Sequence, residues 1–436
     1  MRSNNRKRRS RNTGIIIAIV AIVFILTGAG VFAWYASPGS DDTVEQTEST
    51  EETVSNGGTA DEENSESEPE NGDDQETEVT EETFTDIRIS AVGDVMGHLS
   101  QIIAAHDSET DTYDFNSVFE DVKPFIEEAD LALANLETTL AGPSREYSGY
   151  PTFNAPDELA DALKYAGFDT IVTTNNHSLD TREEGLRRTA QVIKDKELDV
   201  LGTYESAPEP DERFLIKDIE GIKVAILAYT EHLNGMEAQY SDDALHSMVN
   251  MIDEDQMITD IENAKAHDPD IIVAYMHWGA EYTRDPNEVQ TANTEILARE
   301  GVDIIFGGHP HVIHEAEFIE VDGNEAFVAY SLGNFVSNQR RETLGEGMEP
   351  TEDGVIVNVD VQKNEQTGET SIKGVEFVPT WVYRNSATGS APYTYRILPV
   401  ETAVEDTSLP ESYRERMRNS YDETMDRINM TDTVVE

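Results

Sequence analysis

The 436-residue sequence predicts an α/β fold for everything after residue 85. Three observations carry this. Short Val/Ile-rich runs alternate with longer amphipathic ones. Polar residues capable of chemistry stand at the ends of the short runs, and after residue 310 such runs follow one another without helical spacers.

The expected strands are "IRISAVGDVM" (87–96), "LALANLE" (131–137), "DTIVTTNNH" (169–177), "KVAILAYTE" (223–231), "DIIVAYMHWG" (270–279) and "DIIFGGHP" (303–310). Helical periodicity marks 115–129, 156–166, 181–196, 254–267 and 289–300 between them. Residues 315–336, 354–362 and 372–384 read as further strands, with "DGN" (322–324) as a hairpin turn. This β-rich part is expected to complete a second sheet packed on the first. The stretch 385–394 reads as a loop, and a last helix near 409–428 precedes a polar tail, so 401–436 is set apart from a main domain of 85–400.

Residues 2–11 carry six Lys or Arg and no acid, and residues 14–36 hold no charge over 23 positions. As a helix that apolar run can cross a hydrocarbon core of roughly 30 Å. Trp34 and Tyr35 stand at its far end, where amphipathic rings favour headgroups. A cleaved signal peptide is the competing reading, but its apolar region runs only about 7–15 residues. A retained single-pass anchor in the cell membrane is therefore expected, with the basic segment 1–13 cytoplasmic and the main domain extracellular. Residues 37–84 carry eighteen acids and no Lys or Arg, with too little apolar content for a core, and read as a disordered acidic linker.

From residue 85 onward 70 acids face 25 bases. Such a surface repels nucleic acid and anionic lipid, so no nucleic-acid partner is expected. Cysteine is absent. No disulfide staples the external domain, and metal ligands must come from His, Asp, Glu or Asn.

Open α/β sheets gather ligands at the C-terminal ends of their strands. Asp94 ends the first strand, and Asn135 and Glu137 end the second. Asn175, Asn176, His177 and Asp180 follow the third; His277 and Glu281 follow a later one; His309 and His311 follow the next. A single polar strand end usually only meets solvent. Five in succession, expected on one sheet edge and rich in imidazole and carboxylate, suit Zn, Mn or Fe.

The ordered set "GDVM" (93–96), "NLE" (135–137), "NNHSLD" (175–180), "HWGAEY" (277–282), "GGHPHV" (307–312) and "YSLGNF" (330–335) resembles the CapA family. These are capsule-synthesis proteins associated with poly-γ-glutamate, including PgsA-type membrane-anchored members, and the resemblance spans roughly residues 86–340. The family is similar in turn to the calcineurin-like metallophosphoesterases. The resemblance implies a four-layer αββα sandwich of the metallophosphoesterase type, here preceded by one transmembrane helix and the disordered acidic linker. It implies two divalent ions held by Asp94, Glu137, Asn176, His277, His309 and His311, with Glu137 where the superfamily has a bridging Asp. It makes His177 the catalytic acid. Asp180 either orients the His177 ring or caps the helix starting near Thr181. The superfamily pattern in the first strand is Asp-x-His, from which Asp94-Val95-Met96 departs; His98 is either a substitute or an ordinary turn histidine.

Asn135, Glu281, Asn334 and Arg145 are candidates to meet the substrate. Glu281 could equally be an exposed charge, Asn334 could satisfy a buried turn, and Arg145 could be a solvated loop residue. His314 reads as structural and Trp278 as packing, while His106, His232, His246 and His267 read as surface residues. The role implied is synthesis or export of an anionic capsular polymer, poly-γ-glutamate foremost, with the polymer or its precursor and membrane-embedded synthesis components as partners. The alternatives are a cell-surface metal-dependent phosphoesterase and a non-catalytic scaffold.

Overall fold

The computed structural model describes residues 82–386, 392–428 and 433–434. The expected basic terminus (1–13), membrane anchor (14–36) and nearly all of the acidic linker (37–84) lie outside them. Among the described residues no helix is long and apolar enough to cross a membrane.

Four strands open the fold. β1 (Phe84–Val95), β2 (Leu131–Leu136), β3 (Thr170–Val172) and β4 (Asp199–Leu201) run parallel, each paired with the next. All six β2 residues are buried, as expected of a strand covered on both faces. The chain then builds a second sheet. β5 (Leu215–Ile219) and β6 (Ile222–Thr230) form a hairpin, and β7 (Ile271–His277) and β8 (Ile304–Gly308) continue it in parallel. β9 (Ala316–Val321) and β10 (Asn324–Ala329) close it as another hairpin, giving the order β9-β10-β8-β7-β6-β5.

The β-rich region after residue 310 thus divides, contrary to the expectation that it completes the second sheet. Only β9 and β10 join that sheet. β11 (Asn334–Val336), β12 (Asp353–Asn364), β13 (Thr370–Asn385) and β14 (Thr394–Pro399) return to the first, whose order is β14-β13-β12-β1-β2-β3-β4 with β11 beside the end of β1. The physical reason lies in the register. Ile87, Ile89 and Ala91 of β1 fall opposite Val361, Val359 and Val357 of β12, so one apolar face runs unbroken across both strands. Without β12, β1 would present an unpaired edge along most of its length.

Side-chain alternation makes four layers. Ile89 and Leu133 from the first sheet meet Val273 and Phe306 from the second in one shared core. On its outer face the first sheet turns Ala132 and Ala134 to α1 (Leu99–Ala105), α2 (Asn116–Phe119), α3 (Lys123–Ile126), α4 (Glu158–Ala166) and α5 (Arg182–Asp195), through Ala105, Phe119, Ile126, Leu163 and Ile193. The second sheet turns Ile272 and Ala274 to α6 (Glu254–Lys265) and α7 (Glu288–Arg299), through Ile261 and Leu297. α8 (Glu411–Ile428) sets Met417 against Trp381 and Leu398. The expected helix over 115–129 is two one-turn pieces, because Pro124 near the start of the second lacks the N–H that would continue the first. A one-strand pairing of Val434 with Gly374 anchors part of what reads as a polar tail.

Candidate metal centre

The strand ends do not share one sheet edge. Asp94, Glu137 and the 175–180 turn come from the first sheet, whereas His277, His309 and His311 come from the second. They meet because the C-terminal ends of both sheets open on the same side, and two contacts knit them together. Asp94 Oδ2 accepts the His309 backbone N–H at 3.1 Å and lies 3.1 Å from His311 Nδ1. Gly308 makes the approach feasible, since a Cβ there would sit 2.7 Å from Asp94 Oδ1.

Glu137 lies at the middle, fully buried. Its Oε1 is 3.8 Å from both His277 Nε2 and His311 Nε2, and 3.9 Å from His177 Nε2. Two groups have donor atoms mutually within 4.8 Å: Glu137 with His277 and His309, and Asp94 with Glu137 and His311. Glu137 belongs to both. Asn176 points Oδ1 at His277 Nε2 from 3.2 Å, at the edge of the first group.

These residues fit a cation. Both Glu137 carboxylate oxygens and His309 Nδ1 are buried with no hydrogen-bond partner, which is costly unless something charged completes them. The protonation pattern agrees. Burial, then the Asp94 charge, pushes the Glu137 carboxyl well above the carboxylate range. Burial and the neighbouring imidazoles push His277 and His309 well below the usual histidine value. The two carboxylates repel each other, as do the three imidazoles once protonated, and a dication reverses that balance.

The backbone is strained at the same place. His309, His311, Tyr282, Asn234 and Arg182 all have positive φ, at 96°, 59°, 63°, 53° and 68°. Conformations of this kind cost of order 1–3 kcal/mol each and persist where the surroundings over-determine them.

Residues 88–339 match the family described as bacterial capsule synthesis protein PGA_cap. This chain belongs to that family. It is 28% identical over 290 residues to the capsule biosynthesis protein CapA of Bacillus anthracis, covering 64% of each chain. It is also 28% identical over 287 residues to the PGA biosynthesis protein CapA of Bacillus subtilis (strain 168), covering 65% of this chain and 70% of that one. The match to the first relative therefore spans under two thirds of its length. Among solved structures, the fold is similar to a calcineurin-like phosphoesterase, YfkN from Bacillus subtilis, with a TM-score of 0.39 at 13% identity over 80% of this chain and all of that one. A phosphatase from Mycoplasma pneumoniae gives a TM-score of 0.40 at 16% identity, over 68% and 94% of the two chains.

Within this PGA_cap chain the remaining candidates separate by what their side chains touch. Asp180 Oδ2 lies 2.8 Å from His177 Nδ1 and accepts the Phe153 N–H at 2.6 Å, while the helix start at Thr181 shows no side-chain cap. Orientation of His177, rather than capping, is the arrangement present. Asn135 donates from Nδ2 to Asp94 Oδ1 at 2.8 Å and to His277 Nδ1 at 3.1 Å, and its Oδ1 accepts from Asn175. Asn334 holds His311 Nδ1 through Oδ1 at 3.1 Å and gives Nδ2 to the carbonyls of His311 and Thr351 and to Gln339. Both amides are buried and engaged, so they position Asp94, His277 and His311 instead of meeting substrate. Glu281 is exposed, close enough for its charge to raise the Glu137 carboxyl. Arg145 is paired with Glu184 at 3.3 Å on the surface.

Three histidines complete the picture. His314 is buried with Nε2 2.6 Å from the Thr283 carbonyl, in keeping with a structural role. His98 stands outside both donor groups; it accepts the Asn338 N–H on Nδ1 and packs edge-on to Phe153, and burial foremost, with the His311 and His177 charges, pushes it down to about 4. Met96, in the position of the missing histidine, is buried with Sδ facing Ser337. His232, expected on the surface, is half-buried with its ring 4.9 Å from that of His309. It stands two residues after the end of β6, so the strand-end rule that selected the others also points to it; no family motif did.

Proposed function

We propose that this PGA_cap protein is anchored in the cell membrane by residues 14–36, stands outside the cell on the 37–84 linker, and uses a divalent-metal centre in the synthesis or export of an anionic capsular polymer, poly-γ-glutamate foremost. The observation that carries the metal reading is Glu137, whose two buried, unpartnered oxygens stand between two groups of donors. Asp94, Glu137 and His311 would hold one ion; Glu137, His277 and His309, with Asn176 beside them, would hold a second. Such ions supply Lewis-acid polarisation and a water acidic enough to ionise near neutral pH.

The chain's own residues do the rest. Asp180 fixes the His177 ring through Nδ1, leaving Nε2 turned to the Glu137 side as the atom from which a proton can be delivered. Asn135 and Asn334 lock the rotamers of His277 and His311, so the donors are set before anything binds. A phosphoryl or acyl group is the chemistry this arrangement suits.

A second reading, a scaffold without turnover, is favoured by Met96 standing in place of a histidine donor. Metal content and surface polymer, measured together in a capsulated host carrying wild type or Glu137→Ala, separate the two. Loss of both metal and polymer is the expected result. Metal lost with polymer made normally would leave the scaffold, and metal retained by the variant would sink the site assignment.

A further inference from the structure

The cations of this domain are distributed unevenly. Residues 85–436 contain 25 Lys and Arg against 70 acids, so a carboxylate partner should be easy to find for each. Most have one. Among the described residues Arg182, Arg384, Lys223 and Lys265 have no carboxylate within ion-pair distance; even Arg145, on a surface loop, and Arg299, at the end of α7, do. The two lysines stand at the far end of the second sheet from the metal centre, Lys223 at the start of β6 and Lys265 closing α6.

Contacts lead from both arginines to the centre. Arg182 follows Asp180 by two residues, and its Nη1 donates to Gln239 Oε1 at 2.5 Å and faces Met236 Sδ at 3.8 Å, on the segment that also carries His232. Its φ of 68° shows that the surroundings hold it against its backbone preference. Arg384 approaches by way of His98. Its Nη1 donates to Asn338 Oδ1 at 2.9 Å and its guanidinium carbon lies 4.4 Å over the Tyr393 ring. The Asn338 N–H donates to His98 Nδ1 at 3.3 Å, His98 packs on Phe153, and Phe153 packs on His177. The Arg182 segment reaches the centre at His309 and the Arg384 chain of contacts reaches it at His177. Among the described residues each guanidinium is held by neutral groups, with no carboxylate within ion-pair distance.

We propose that Arg182 and Arg384 are the two anion contacts of a track along which a repeating polyanion crosses the mouth of the metal centre. The inference rests on the proposed function only in taking the centre as the place where substrate is handled. A guanidinium offers a planar fork of donors to carboxylate or phosphate. Elsewhere the acidic surface repels such a chain, so two arginines without a carboxylate partner among the described residues also set where it can lie. A polycarboxylate and a polyphosphate share this chemistry.

The test uses the full chain in phosphatidylcholine nanodiscs and fluorescence anisotropy, with EDTA and then with Mn²⁺. The probes are a labelled γ-glutamate decamer and a labelled polyphosphate of similar length. Arg182→Gln and Arg384→Gln are each expected to weaken binding roughly fivefold, with EDTA as with Mn²⁺, and the double variant to weaken it further and flatten its salt dependence. Arg384→Lys, which keeps the charge but loses the fork and the stacking on Tyr393, should fall between Arg384→Gln and wild type, and Lys223→Gln should bind as wild type does. Unchanged binding in the double variant, or an equal loss in Lys223→Gln, overturns the track while leaving the polymer reading intact. Wild type that binds polyphosphate but not the glutamate decamer keeps the track and removes poly-γ-glutamate from the proposed function. Wild type that binds neither overturns both.

Discussion

The backbone N–H of His309 donates to Asp94 Oδ2 at 3.1 Å, tying the end of β1 in the first sheet to the end of β8 in the second. This bond places the carboxylate within reach of His311 from one sheet while Asn135 grips its other oxygen from the next strand. The centre is therefore a joint between the two sheets. Whatever disturbs the joint should disturb metal binding before it disturbs either sheet, because the shared core of Ile89, Leu133, Val273 and Phe306 lies deeper between them.

Metal should stabilise the fold through Glu137. A ligand that binds only the native state at a hundredfold excess over its Kd contributes about 2.7 kcal/mol. Mn²⁺ added to chelated wild type is expected to raise the melting temperature by several degrees. In Glu137→Ala both donor groups lose their common member, and the rise should vanish. An equal rise in the two proteins would place the bound metal elsewhere.

Asp180 and His177 should separate in their effects. Asp180→Asn keeps an acceptor for the Phe153 N–H but removes the charge that fixes the His177 ring, and loss of such an orienting partner costs about 10- to 100-fold in activity. His177→Ala removes the proton carrier itself, with a loss on the order of 10²–10⁴. Metal content, measured by elemental analysis, should be unchanged in Asp180→Asn. Polymer output per cell should fall in the order wild type, Asp180→Asn, His177→Ala; an Asp180→Asn variant that matches wild type would reduce that carboxylate to a loop contact with Phe153.

Much of this was legible in the sequence, for identifiable reasons. Strands such as 270–279 and helices such as 254–267 are written in local apolar period, and Asp94, Glu137, His277 and His309 stand at strand ends that the same period marks. What local pattern does not carry is pairing across the chain. The match of Ile89 to Val359 joins segments 270 residues apart, and nothing near either predicts it. Hence the two sheets read as one edge. His232 lay at a strand end but in no motif. Arg182 and Arg384 could not be told from solvated arginines, because what distinguishes them is that no carboxylate among the described residues lies within ion-pair distance in space.

Acid should loosen α8 before the cores. Burial opposes ionisation of Glu342, but hydrogen bonds from Arg416 and Arg340 outweigh it and push the carboxyl down to about 2 from an ordinary 4.5. A folded pKa below the unfolded one means stability present above about pH 4.5 and lost as pH falls toward 2. Glu342 is 40% exposed, so solvent screening keeps the contribution small. Urea midpoints should decline more steeply between those pH values in wild type than in Glu342→Gln, and the two should converge at the acid end. Parallel curves would show that the arginines do not favour this carboxylate over its unfolded state.

Gly308→Ala tests the joint most directly. The added Cβ would meet Asp94 Oδ1 at 2.7 Å, and that oxygen is already held by Asn135, so the carboxylate has to rotate or β8 has to withdraw. Either movement stretches the His309 bond and breaks the geometry of the Asp94–Glu137–His311 group while leaving both sheets paired. The expected outcome is a loss of metal affinity of about 10- to 100-fold, with a melting temperature measured in EDTA close to that of wild type. Gly307→Ala provides the contrast, because its Cβ would fall 2.1 Å from the Tyr330 carbonyl, a backbone atom that cannot turn aside. That variant should lose stability with or without metal. If Gly308→Ala binds Mn²⁺ as tightly as wild type, the close approach of β8 to Asp94 is a packing convenience and the two-sheet joint does not set the donor geometry.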